Sequence, residues 1–148
     1  MPIHYAISRR HDVLYARQTG VIDLPALRAA FIHYLNNPLY SHGRPELIDQ
    51  TDVISTDVDF NEVRALLRQV NEVIPEGDIG TLTVVLSTKD SAFGTARMYQ
   101  QLSEIDQGIR VFTENNEARA LTHLGLPYPT VAEFLLKGDL TPMECGAP

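Results

Sequence analysis

The stretch from Gly80 to Ile105, GTLTVVLSTKDSAFGTARMYQQLSEI, constrains the fold more than any other part of the chain. Thr81 to Leu86 is β-branched or aliphatic on both faces, without the alternation of a half-buried strand, and such a run suits a central strand covered on both sides. It is too short for a buried helix and stops at the polar cluster Ser87-Thr88-Lys89-Asp90-Ser91, which also favours a strand. Asp90 or Ser91 is placed to cap the helix that follows, and Gly94 in its first turn leaves backbone open to close approach.

The rest of the chain supplies partners for that strand. Ile3 to Arg9 alternates apolar and polar residues and, after the turn Arg10-His11-Asp12, Val13 to Gly20 forms a second run, so an opening β-hairpin is expected. Asp23 then caps a helix with Pro25 in its first turn and Leu24, Leu27, Phe31, Tyr34 and Leu35 on one face, ended by Asn36-Asn37-Pro38. Leu39 to Pro45 reads as a loop, and Glu46 to Val53 as a strand leaving the core at its carboxyl end. Asp59 and Glu62 make a capping box for a helix carrying Phe60, Val63, Leu67, Val70 and Ile74, stopped by Pro75 and Gly77. Ile109 to Phe112 is a further strand. Asn115 or Asn116 caps a helix bearing Ala118, Leu121 and Leu124 before Gly125, and Thr130 with Glu133 opens a last short helix bearing Val131, Phe134 and Leu135 up to Gly138. That last stripe either docks on its own domain or is lent to a second subunit. Asp139 to Pro148 reads as a disordered tail.

Strands alternating with helices after a hairpin imply an α/β fold. Its sheet is expected to be mixed and mostly parallel, of four or five strands, with one antiparallel edge and a C-terminal helical extension. At 148 residues one domain is expected. Nineteen acidic residues against twelve basic give a net charge of −7, which argues against nucleic acid as a partner, since a phosphate backbone needs a positive field. The single cysteine, Cys145, can form no internal disulfide, and a reducing cytoplasm is the expected location. The opening MPIHYAISRRHD has no long apolar core, and no apolar run reaches bilayer length, so a soluble, unprocessed chain without a membrane span is expected.

The order of elements, the segment Asn37 to Asp49 (NPLYSHGRPELID) and the run Ala92 to Tyr99 (AFGTARMY), followed by Val111-Phe112 and Glu117-Ala118, resemble the SpoIIAA-like family, relatives of the STAS domain. The resemblance covers roughly residues 3 to 125. It implies a STAS-like domain over 1–125, with 126–138 as the helical extension and 139–148 as the tail. It also implies a bacterial regulatory module acting by protein–protein contact, as anti-sigma-factor antagonists do, or a relative that binds a lipid-like ligand. The antagonists are switched by phosphorylation of a serine in a D-S-[ST]-G-like setting. Here Asp49 fits the aspartate, Gln50 stands in place of the serine and no glycine follows. Thr51, Ser55 and Thr56 are the nearby hydroxyls, with Thr51 and Ser55 as candidate phosphorylation sites. A phosphate there would sit among Asp49, Asp52, Asp57 and Asp59, where like charge opposes it.

No nucleophile with a base and no set of ligands at metal spacing appears: His4, His11, His33, His42 and His123 form no i,i+3 or i,i+4 pair. No catalytic residue, metal or cofactor is therefore assigned, and a non-catalytic module is expected. Its partner is a protein, a homodimer being one form of that contact, or else a small apolar or lipid-like ligand. A weaker alternative is an enzyme working at the carboxyl edge of the sheet. In open α/β sheets ligands lie beyond the carboxyl ends of the strands, and helix N-termini present free N–H groups. That places a ligand- or partner-binding site on the Asp49–Thr56 loop, with Asp49, Thr51 and Asp52, and on the turn holding Thr88, Lys89, Ser91 and Gly94. Phe31, Tyr34, Phe60, Met98 and Leu102 are at core spacing, Arg97 and Tyr99 are a solvated residue and a core aromatic, and a filled core is not distinguishable from an open pocket at this level.

Overall fold

The computed structural model describes residues 2–72, 81–106 and 109–143. Its elements in chain order are β1 (Ile3–Ser8), β2 (Val13–Asp23), α1 (Leu24–Leu35), β3 (Glu46–Asp57), α2 (Phe60–Glu72), β4 (Thr81–Leu86), α3 (Asp90–Asp106), β5 (Ile109–Glu114), α4 (Glu117–His123), α5 (Val131–Lys137) and β6 (Leu140–Met143). The strands form one mixed sheet in the order β5-β4-β3-β2-β1-β6. β2 to β5 are mutually parallel, β1 is antiparallel to β2, and β6 is antiparallel to β1. As its composition demands, β4 is an interior strand with Val84 and Leu86 fully buried on one face and Val85 on the other.

Local chemistry starts each helix. The Asp23 carboxylate accepts from the Ala26 N–H (2.9 Å), with Pro25 in the first turn. Asp59 and Glu62 form a reciprocal capping box at 2.8 and 3.1 Å. Asn116 and Thr130 each accept from the N–H three residues on. At the end of α4, Gly125 at φ 68 lets Leu126 N–H reach the Leu121 carbonyl and Gly125 N–H the Thr122 carbonyl, the paired bonds of a Schellman stop. Pro75, Gly77, Ile74 and Cys145 lie outside the described residues, as do the side chains of Val70 and Ser91.

Because β2, β3, β4 and β5 step across the sheet in one direction, right-handed crossovers carry their connecting helices to a single face. α1, α2 and α3 indeed contact one another in sequence. The opposite face is left to α4 and α5, whose Leu121, Val131 and Phe134 pack on Val13, Tyr15, Leu47, Val84 and Leu86. α5 is thus docked on its own domain through Val131 and Phe134, while Leu135 and Leu136 are exposed. Among the described residues no helix is long and apolar enough to cross a membrane.

Three expectations are corrected. The sheet has six strands rather than four or five, because Leu140–Met143, expected within a disordered tail, pairs with β1. The pairing is prepared upstream, where Ser8 Oγ donates to the Gly138 carbonyl (2.6 Å) and Arg9 N–H to that of Asp139 (3.0 Å). Pro142 is tolerated there because β6 is an edge strand. The Asp49–Thr56 segment is no loop but the second half of β3, which runs on to Asp57 alongside β2 with bulges in the register. Phe60, expected to pack on the sheet, is half exposed at the first position of α2.

Candidate functional site

Beneath α1, α2 and α3 the sheet carries a partly open cavity of about 160 Å³. Strand register sets out its floor in rows. Leu14, Glu46 and Thr83 lie side by side on β2, β3 and β4, Ala16, Ile48 and Val85 form the next row, and Gln18 and Gln50 follow toward the carboxyl end. The roof is Leu27, Ala30, Phe31 and Tyr34 of α1, at helical spacing for one face, with Val63 and Leu66 of α2 and Thr95, Ala96 and Tyr99 of α3. Ile3 and Tyr5 of β1 close one side. Three alanines, Ala16, Ala30 and Ala96, stand where larger side chains would fill the space. A dry apolar cavity of roughly 150 Å³ holds a benzene-sized molecule, so the volume suits a single ring or its aliphatic equivalent.

The polar groups are few and are placed at the two ends of the floor. Glu46 accepts from Thr83 Oγ1 (2.8 Å). Burial pushes its carboxyl up to about 7, against the opposing effect of that one hydrogen bond. Around it the phenols are held neutral. Tyr34 is pushed up to about 12 by burial and by the Glu46 charge, with Arg44 opposing, and burial followed by Glu46 raises Tyr99 and Tyr40 as well. The Tyr34 hydroxyl, near Arg44, has no hydrogen-bond partner of proper geometry. At the other end Gln50 Nε2 donates to Gln18 Oε1 (2.8 Å), while Gln50 Oε1 is buried without a partner. An unmet acceptor at such depth is costly, and one facing a cavity is a natural contact for a ligand donor.

The described residues expected to form a site do not line this cavity. Asp49 faces the α4/α5 side, where its carboxylate accepts from the Tyr15 hydroxyl (2.6 Å), the Thr51 N–H (3.0 Å) and the Thr51 hydroxyl (2.7 Å). Its oxygens are committed to structure. Asp52 is exposed and ion-paired with Arg17. Ser55 is half buried on the far half of β3. Thr88 and Lys89 are exposed, and Gly94 sits inside α3 with no atom within 4 Å of a Cβ built upon it. The two segments come near each other where Thr56 and Thr95, the residue after the expected Thr88–Gly94 turn, share a 2.7 Å hydrogen bond. A crevice at the carboxyl edge opens where neighbouring crossovers leave toward opposite faces. Here those after β2, β3 and β4 leave toward the same one, so no such crevice separates Asp49 from Lys89.

Among the described residues no three or more His, Cys, Asp or Glu side chains gather to hold a metal ion. His11 bonds Tyr128 (2.8 Å), and His123 bonds Glu114 (3.0 Å) and stacks on Phe112. Reading along the chain missed Glu46, Thr83, Gln18 and Gln50. The available signal was a set of polar residues at interior strand positions, which becomes a cluster only once register aligns three strands. Compared with known proteins, the chain matches no protein-family model and no curated protein sequence.

Proposed function

We propose that this protein is a non-catalytic binding module whose ligand is a small, mostly apolar molecule taken up between the sheet and α1–α3. The observation that supports this best is the 160 Å³ cavity with apolar walls and a few unmet or weakly met polar groups at its ends, the composition typical of ligand sites. A space of this kind forfeits packing contacts, so its upkeep by three alanines argues for use. The likeness to the SpoIIAA-like family, some of whose relatives resemble lipid binders, agrees with binding rather than catalysis. So does the commitment of Asp49 to Tyr15 and Thr51 and of Asp52 to Arg17, which removes the acidic pair on which an enzyme at the sheet edge would rely.

Contact with a protein partner is the second reading, favoured by Leu135 and Leu136, 40% and 82% exposed on α5. Native mass spectrometry of protein purified from its own host separates the two. The expected result is a small-molecule adduct that is missing from an Ala96→Leu variant, whose longer side chain fills the cavity from α3. A stoichiometric second polypeptide with no small-molecule adduct would replace the first reading with the second.

A further inference from the structure

Glu46 lies in the cavity with one hydrogen bond and, among the described residues, no cationic partner. Arg44, its neighbour in the chain, is committed to Asp12 (2.9 Å) and to the Leu39 carbonyl (2.8 Å). Aromatic rings surround the same space. Tyr5 stacks on Tyr34 at 5.8 Å, and Tyr34, Phe31 and Tyr99 line the same cavity as Glu46. A carboxylate without a cationic partner in a cavity lined by aromatic side chains is a combination that suits an organic ammonium group, because aromatic rings and a carboxylate both favour positive charge. The net charge of −7 adds a long-range field that attracts cations and disfavours anions.

Resting on the reading of the cavity as a ligand site, we propose that the ligand is a protonated amine on a compact apolar body, its ammonium group set against Glu46. Thr83 takes up one oxygen of the carboxyl and leaves the other to accept from the ligand N–H. The apolar body lies over the Ala16, Ile48 and Val85 row.

The proposal makes binding depend on pH through Glu46, which binds a cation only when ionised. The other titratable or charged groups nearby are Tyr5 from β1, Tyr34 from α1, Tyr40 and Arg44 from the loop after α1, and Tyr99 from α3. Among the described residues α2 contributes Val63 and Leu66, neither of which titrates. The Tyr34, Tyr40 and Tyr99 phenols are raised from their ordinary value, and an alkylammonium has a pKa of roughly 10. Among the cavity-lining groups named, Glu46 is the one whose value, raised to about 7, lies between pH 5 and 8.5.

The test compares benzylamine, benzyl alcohol and benzoate by calorimetry across that range. Benzylamine is expected to bind at least tenfold more tightly than benzyl alcohol at pH 8, with benzoate weakest. The amine's advantage should fall by about tenfold per pH unit below the Glu46 midpoint, with one proton released per amine bound. Glu46→Gln should bring amine and alcohol to similar affinity and remove the pH dependence. Thr83→Val, which deletes the hydrogen bond that favours the ionised carboxyl, should move the midpoint to higher pH and gives a second route if the first variant folds poorly. Benzyl alcohol binding with no preference for the amine at pH 8, or a preference that survives Glu46→Gln, would overturn the cation assignment and leave the cavity reading standing. Failure of both benzylamine and benzyl alcohol to bind would overturn the cavity reading and the assignment with it.

Discussion

Glu46 and Asp49 leave the same strand three residues apart and end on opposite faces of the sheet, and the two faces treat their carboxyls differently. On the α4/α5 side Asp49 receives three donors and lies in a buried core, with Phe134 meeting the rings of Tyr15, His11 and Tyr128. On the α1–α3 side Glu46 receives, among the described residues, one donor and borders the cavity. The first arrangement stabilises a fold. The second leaves a charge and a volume unanswered, as a site does before its ligand arrives.

Packing offers the largest test of that contrast. Phe134 is fully buried on the α4/α5 side, and Phe134→Ala should cost about 3–5 kcal/mol in chemical denaturation. Leu66→Ala, at the cavity, should cost only about 2 kcal/mol, since part of that side chain already borders space. Equal losses would erase the distinction between the faces.

Next in size is the pH dependence of stability. Glu46 ionises at an ordinary value of 4.5 when exposed and only near 7 in the folded protein. Between those values folding takes up a proton. The stabilisation from this group is therefore complete below pH 4.5 and is lost as pH rises through 7, by roughly 3 kcal/mol in all. Denaturation of the parent and of Glu46→Gln at pH 4.5, 6 and 8 should show the variant gaining on the parent as pH rises. A constant difference between them would mean that Glu46 is no more burdened than a surface acid.

Smallest is Gly94→Ala. With no atom within 4 Å of the added methyl, the variant should be stabilised by up to about 1 kcal/mol, with benzyl alcohol binding unchanged. Weakened binding would move the site from the cavity back toward the carboxyl end of the sheet.

What the residues determined on their own was local. Asp23, Asp59 with Glu62, Asn116, Thr130 and Gly125 start or stop helices through bonds to neighbours three to five residues away. The aliphatic run Thr81–Leu86 selects an interior strand because both of its faces need cover. β6 was hidden, since Leu140-Thr141-Pro142-Met143 has no propensity of its own to announce and becomes a strand only when Ser8 and Arg9 hold Gly138 and Asp139 beside β1. The site was hidden for a related reason. Glu46, Thr83 and Leu14 are neighbours through register alone, Gln18 and Gln50 pair across 32 positions, and the cavity is the shape left when Ala16, Ala30 and Ala96 meet from a strand and two helices. Capping and strand preference act over one turn or one strand and so are written in consecutive residues, whereas a void and an uncompensated charge belong to surfaces that come together only when helices pack on the sheet.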